Sequence, residues 1–119
     1  MNKRIVLILS TILIIGGCAT PNTGYYWENY SGTLYKYKKN PSEKTMSNHI
    51  DMLEKIIQKN ENKGARVPPG IHAELAYLLA QNGEKSLAAD HFQKEINTYP
   101  ESKNFVERIY LMLELGGDE

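Results

Sequence analysis

Cysteine is almost absent from this 119-residue chain; Cys18 is the one instance. No intramolecular disulfide can form, so packing alone must hold the fold. No apolar run is long enough to cross a bilayer. The longest, Ile5 to Ile15, is interrupted by Ser10 and Thr11 and reaches about half of the roughly 20 residues a spanning helix needs. Neither sign of charge is in excess. The 14 Lys and Arg residues face 14 Asp and Glu residues, and nothing has the basic stripe of a nucleic-acid binder. The histidines His49, His72 and His91 lack metal-ligand spacing and read as surface or half-buried residues. The order of Ser, His and acidic residues marks no hydrolytic triad. Neither an enzyme nor a metal or cofactor site is expected.

What is present begins with an address. Met1 to Arg4 is short and positive, Ile5 to Ile15 is apolar, and Gly16 and Gly17 are small. That order describes a secretory signal peptide over residues 1–17. A buried N-terminal strand or helix of a cytosolic domain competes with it, but Lys3-Arg4 and the polar shift at Asn22 favour export. Ile15-Gly16-Gly17-Cys18 resembles the bacterial lipobox. The resemblance implies a diacylglyceryl thioether on Cys18, cleavage before it and acylation of the freed amine. Each buried methylene contributes about 0.8 kcal/mol, and more than one acyl chain is needed for stable anchoring. Three chains would make the attachment close to permanent. Ala19, where Asp would signal retention, implies the outer membrane, on its periplasmic face. The competing reading is an unmodified thiol behind an ordinary cleavage site. Residues 18–24 form the acylated cysteine and a polar tether, about 20 Å long when fully extended, so the domain would sit close to the membrane.

Residues 25–115 read as one small all-α domain, and residues 116–119 as a polar tail. Tyr25 to Tyr37 holds the only Trp and five of the eight Tyr. Thr33, Tyr35 and Tyr37 alternate as in a strand, whereas Trp27, Tyr30, Leu34 and Tyr37 share one helical face. A helix is favoured because the remainder is helical, with Gly32 weakening it by up to about 1 kcal/mol. Asn40-Pro41-Ser42-Glu43 predicts a helix capped by Asn40, with Pro41 at its first position and Glu43 closing a capping box. Met46, Ile50, Leu53 and Ile57 form its stripe, with Ile56 beside it, and it should end near Asn60. Ile71 to Gln81 and Glu84 to Tyr99 predict a helical pair about Asn82-Gly83. Leu75, Leu78, Leu79, Leu87, Ala88, Phe92 and Ile96 point inward. Ser102 is positioned to cap a last helix carrying Phe105, Ile109, Met112 and Leu113. The total is about five helices.

Pro69 to Pro100 resembles one tetratricopeptide repeat. Leu75 and Ala76 match the paired large and small sites, Leu79 the next apolar site, Gly83 the turn, Ala88 and Phe92 the second helix, and Pro100 the closing proline. His72 stands where the repeat often has an aromatic, and Glu95 where it prefers Ala. Trp27, Tyr30, Ser31 and Leu34 resemble the first helix of another such unit, with residues 40–60 as its partner. Tyr-Trp-x-x-Tyr-x-x-x-Leu-Tyr after a lipobox, followed by Asn-Pro-Ser, Val-Pro-Pro-Gly and Tyr-Pro-Glu-Ser, resembles a family of small bacterial lipoproteins of unknown function, domain of unknown function family 4810. That resemblance implies a place in an envelope lipoprotein assembly, beside a lipoprotein resembling the curli secretion channel. It brings no functional residues with it.

Tyr25, Tyr26, Trp27, Tyr30 and Tyr35 are the candidate partner-binding residues, because Tyr and Trp bury much area and keep a polar tip. The same rings suit a membrane interface, a glycan-stacking surface for peptidoglycan, or plain packing of Trp27, Tyr30 and Leu34 onto the second helix. Lys36, Lys38 and Lys39 are either a solvated face or a small patch for an anionic lipid surface. The expected function is a membrane-anchored module that holds another envelope protein.

Overall fold

The computed structural model describes residues 24–115, and within them the chain is all-helical. The expected lipid site, Cys18, lies outside the described residues, as do the signal peptide, most of the tether and the tail. Five α-helices follow in order: α1 (Tyr30–Lys39), α2 (Glu43–Asn62), α3 (Ile71–Gln81), α4 (Lys85–Thr98) and α5 (Lys103–Leu115), with a 3₁₀ turn at Pro100–Ser102 before α5. Helices α1 and α2 pack as one hairpin and α3 and α4 as another, α2 lies against α3, and α5 closes the second hairpin.

The hairpins exist because their helices are told where to stop. Gly83 has φ +90°, the left-handed conformation that Cβ-bearing residues avoid. Around it the Glu84 N–H donates to the Leu79 carbonyl and the Gly83 N–H to that of Ala80, so two orphan carbonyls of α3 are satisfied. Gly64, at φ +66°, ends α2 in the same way, with Ala65 donating to Asn60 and Gly64 to Glu61. That stop falls two residues beyond the expected one.

The start of α2 is also displaced. Ser42, in extended conformation, is the N-cap; its hydroxyl accepts from the Thr45 N–H while the Ser42 N–H donates to Thr45 Oγ1. Asn40 is unavailable for that role because it ends α1, donating its N–H to the Lys36 carbonyl. Helix α1 itself starts at Tyr30, so Trp27 precedes it rather than lying on its face.

The core joins Leu53, Ile56 and Ile57 of α2 to Leu75, Ala76, Leu78 and Leu79 of α3, Ala88 and Phe92 of α4, and Val106 of α5. Ala76 and Ala88 let α3 and α4 approach, and Phe92 fills the space between them. Burial of side chains this size is worth about 1.5–3 kcal/mol each. Leu87 is exposed, contrary to expectation. On α5 the inward residues are Val106, with Ile109 and Leu113 half-buried, while Phe105 and Met112 face solvent. The Ser102 hydroxyl is turned back to donate to the Tyr99 carbonyl at 2.7 Å.

The α3–α4 hairpin carries its own substitute for a missing cap. Gly70, at φ +88°, precedes α3 and has no side chain to cap it. Glu95 of α4 reaches across instead. Its carboxylate accepts from the Gly70 N–H at 2.7 Å and the Ala73 N–H at 3.3 Å, placing a negative charge at the positive end of α3. Glu95 therefore stands, buried, where the repeat pattern has Ala, because this hairpin uses it as a cap.

Candidate interaction site

Residues 25–30 do not form one surface. They run as a clasp across the ends of the hairpins. The Asn60 side chain reads the extended backbone at Tyr26 on both edges: its Oδ1 accepts from the Tyr26 N–H at 2.9 Å and its Nδ2 donates to the Tyr26 carbonyl at 3.0 Å. Nδ2 also donates to the Ile56 carbonyl at 2.8 Å. The Tyr25 hydroxyl meets that of Tyr99 at 3.3 Å, and Tyr99 donates to the Val67 carbonyl at 2.6 Å. Burial, together with the Tyr25 contact, pushes the Tyr99 phenol up to about 12. On the exposed side of the clasp, Tyr26 donates to Glu28, Lys55 bonds Glu28 at 2.6 Å, and Lys63 lies 5.3 Å from the Tyr26 ring centroid.

Tyr30 leads into a polar junction between α1, α2 and α3. Its hydroxyl donates to Glu74 Oε2 at 2.6 Å; Glu74 Oε1 meets His49 Nε2 at 2.9 Å; His49 Nδ1 meets Thr33 Oγ1 at 2.8 Å. Burial pushes the Glu74 carboxyl up, but hydrogen bonds from His49 and Tyr30 outweigh it and hold the group below the ordinary carboxylate range. Burial and the Glu74 contact raise the Tyr30 phenol far above its usual value. With Glu74 ionised, His49 donates to it through Nε2, while the Thr33 hydroxyl also reaches the Tyr30 carbonyl at 3.0 Å. His49 is fully buried, with the Tyr37 ring stacked on it and Tyr30 tilted against it. The hydroxyl, imidazole and carboxylate thus form a chain whose central imidazole is sealed from solvent, and it ties three helices together.

His72 and His91 form a second buried contact, Nδ1 to Nδ1 at 2.9 Å. One must donate and the other accept, so at least one ring is neutral. Burial, then the neighbouring His91 and Lys94, push His72 down to about 4. Burial also lowers His91, aided by Lys94 and opposed by Asp90. The expectation of surface or half-buried histidines therefore fails for His49 and His72; both rings are buried, His49 bonded through both nitrogens and His72 through Nδ1, which spacing along the chain does not reveal. Among the described residues no group of three or more potential ligands is arranged for a metal ion.

Of the five aromatic candidates, Tyr25, Tyr26 and Tyr30 are half-buried and bonded to the domain, while Trp27 is 40% and Tyr35 is 63% exposed. Trp27 stands edge-on to Tyr30, centroids 5.5 Å apart, and Tyr35 projects from α1. Among the described residues, four of the exposed large hydrophobic side chains lie elsewhere, on α5. Phe105 (61%), Leu111 (56%) and Met112 (63%) stand out to solvent beside Tyr110. One flank of α5 borders a groove of about 500 Å³ with Ala73 and Tyr77 of α3, walled by Phe105, Ile109 and Met112. The other borders one of about 480 Å³ with Phe92 and Ile96 of α4, walled by Val106, Tyr110 and Leu111. These residues escaped the sequence reading because Phe105 and Met112 fit an inward stripe equally well. The available signal was that Val106, Ile109 and Leu113 make a second stripe on a helix with too few polar positions for one buried face.

The fold and these surfaces define a small all-α domain of two helical hairpins and a closing helix, with its polar groups used for internal ties and its apolar excess on the last helix. Residues 25–109 match the model of the family described as Domain of unknown function (DUF4810), and the chain belongs to that family. No curated protein and no solved structure matches it. Among the described residues, no helix is long and apolar enough to cross a membrane.

Proposed function

We propose that this protein is a membrane-anchored interaction module of the bacterial envelope. Cys18 carries the lipid, the short tether keeps the domain at the outer membrane, and α5 holds a partner protein there. The observation that carries the reading is the pair of apolar grooves flanking α5, one walled by the exposed Phe105 and Met112 and the other by the exposed Tyr110 and Leu111. Exposed apolar side chains gathered along a groove on a small domain mark an interaction site. Its grooves suit an amphipathic helix presenting aliphatic side chains at helical spacing. A lipoprotein resembling the curli secretion channel is the first candidate partner. Glycan stacking is the weaker reading, since Tyr25 and Tyr26 are engaged by the domain and Tyr35 alone of that trio is exposed.

A photo-crosslinking residue placed at Phe105 or Met112 of the full chain in living cells tests this. Both positions should trap the same envelope protein, and a probe at Lys44, on α2, should not. Trapping of nothing at either α5 position, or equal trapping from Lys44, would remove the proposal.

A further inference from the structure

The end of the domain from which the tether leaves is built differently from the α5 face. Lys55 and Lys59 lie in the C-terminal half of α2, Lys63 follows at the same four-residue spacing as its C-cap, and Arg66 lies in the loop beyond. All four are exposed and surround the clasp. Lys55 pairs with Glu28, and Lys59 acts on the same carboxyl. Lys63 sits over the Tyr26 ring, and Arg66 lies 4.5 Å from the centroid of Tyr99, the ring that Tyr25 touches. Lys59, Lys63 and Arg66 take part in no ion pair among the described residues, although Arg66 donates to the Thr98 carbonyl at 2.6 Å, and Asp51 and Glu54 border Lys55. Trp27, the only tryptophan, stands exposed in the same segment.

We infer that this end of the domain docks on anionic phospholipid headgroups, with Trp27 in the interface and Lys59, Lys63 and Arg66 against the phosphates. The inference rests on the anchor reading of Cys18. Six residues separate Cys18 from Tyr25, so an acylated chain holds the clasp within about 25 Å of the bilayer even when the tether is fully extended. The tether therefore lets the clasp reach the surface itself, where, within a Debye length, an anionic leaflet attracts each cation. An indole with one apolar and one polar edge takes the headgroup level, and lysine stems lie along apolar surface while their ammonium groups reach outward. Lys36, Lys38 and Lys39 are less suited to the role. They occupy the last turn of α1, the far end of that helix from the clasp. Docking by the clasp turns one defined end of the hairpins to the membrane and fixes the height at which the α5 grooves are presented.

The test uses the acylated full chain reconstituted in vesicles of phosphatidylcholine alone or mixed with phosphatidylglycerol, some carrying bromine on the acyl chains. Trp27 emission is the readout, with intact mass reporting the lipid on Cys18. The expected result is a blue shift and strong quenching in the anionic brominated vesicles. Both should weaken severalfold in phosphatidylcholine alone, at high salt, and in a Lys59→Glu, Lys63→Glu variant that keeps its helical circular dichroism. Salt needs no variant, so it gives an answer even if the substitutions disturb the fold. An acylated chain whose Trp27 is not quenched, or is quenched equally under all these conditions, overturns the inference alone. A chain without the acyl mass on Cys18 overturns the anchor and the docking together.

Discussion

At the scale of single residues, a few buried polar groups each have a nameable task. Asn60 is the clearest case. Replacing it with Ala leaves the Tyr26 N–H and carbonyl without their partner in a half-buried site. Such losses cost about 1–3 kcal/mol per unsatisfied group, so Asn60→Ala should destabilise by about 2–4 kcal/mol in urea melts. Proteolysis within Tyr25 to Tyr30 should accelerate at the same time. His72 makes stability depend on pH. Its pKa is depressed from 6.5 to about 4 in the folded chain, so the unfolded chain binds a proton that the folded chain refuses. The contribution is intact above pH 6.5 and is lost progressively as pH falls toward 4, by about 1.4 kcal/mol per pK unit, a total on the order of 3–4 kcal/mol. Glu74, also depressed, is stabilising while ionised and adds a further loss at lower pH. Urea melts between pH 7 and 4 should show the first decline, and His72→Phe should reduce it, leaving the part that belongs to His91, which burial also depresses. A slope unchanged in the variant would remove His72 as its origin.

Among the elements, the stop signals decide the architecture, and this is where the sequence was most legible. Asn82-Gly83 predicts a left-handed stop, and the observed pair of hydrogen bonds around Gly83 makes it. Gly64 does the same for α2. A Cβ at Gly83 would meet nothing within 4 Å, so Gly83→Ala isolates the backbone cost. It should lower stability by about 1–2 kcal/mol with no change in helical content, read by calorimetry and circular dichroism together. The starts were less legible. Asn40 and Ser42 are both good caps two residues apart, and the choice fell to Ser42 only because α1 needs Asn40 for its own end. The same ambiguity hid the roles of His72 and Glu95. Each departs from the repeat pattern, but whether a polar residue at such a site is exposed or has a buried partner depends on what the other helix brings. Here that is His91 for one and the bare N-terminus of α3 for the other, neither visible from spacing. The aromatic segment was legible as a cluster but not as a clasp, since the bond that organises it joins Tyr26 to a residue 34 positions away.

For the whole molecule, the question is which face is left for something else, and α5 answers it through its rotation about its own axis. Two stripes were available on this helix. With Phe105, Ile109 and Met112 inward, the domain would close its apolar surface and have little to offer a partner. With Val106, Ile109 and Leu113 inward, as observed, Phe105 and Met112 stay outside and the grooves beside them stay open. Adjacent residues therefore discriminate between a closed domain and one that presents a face. Val106 is buried at 2% exposure, and Val106→Ala should cost about 1–3 kcal/mol through lost burial and a residual cavity. Phe105→Ala removes a larger side chain yet should change stability by no more than about 0.5 kcal/mol, while abolishing partner capture through α5. Urea melts of the two variants, measured side by side, give the rotation directly. If Phe105→Ala proves the more damaging to stability, α5 is turned the other way, and the apolar face on which the interaction reading stands does not exist.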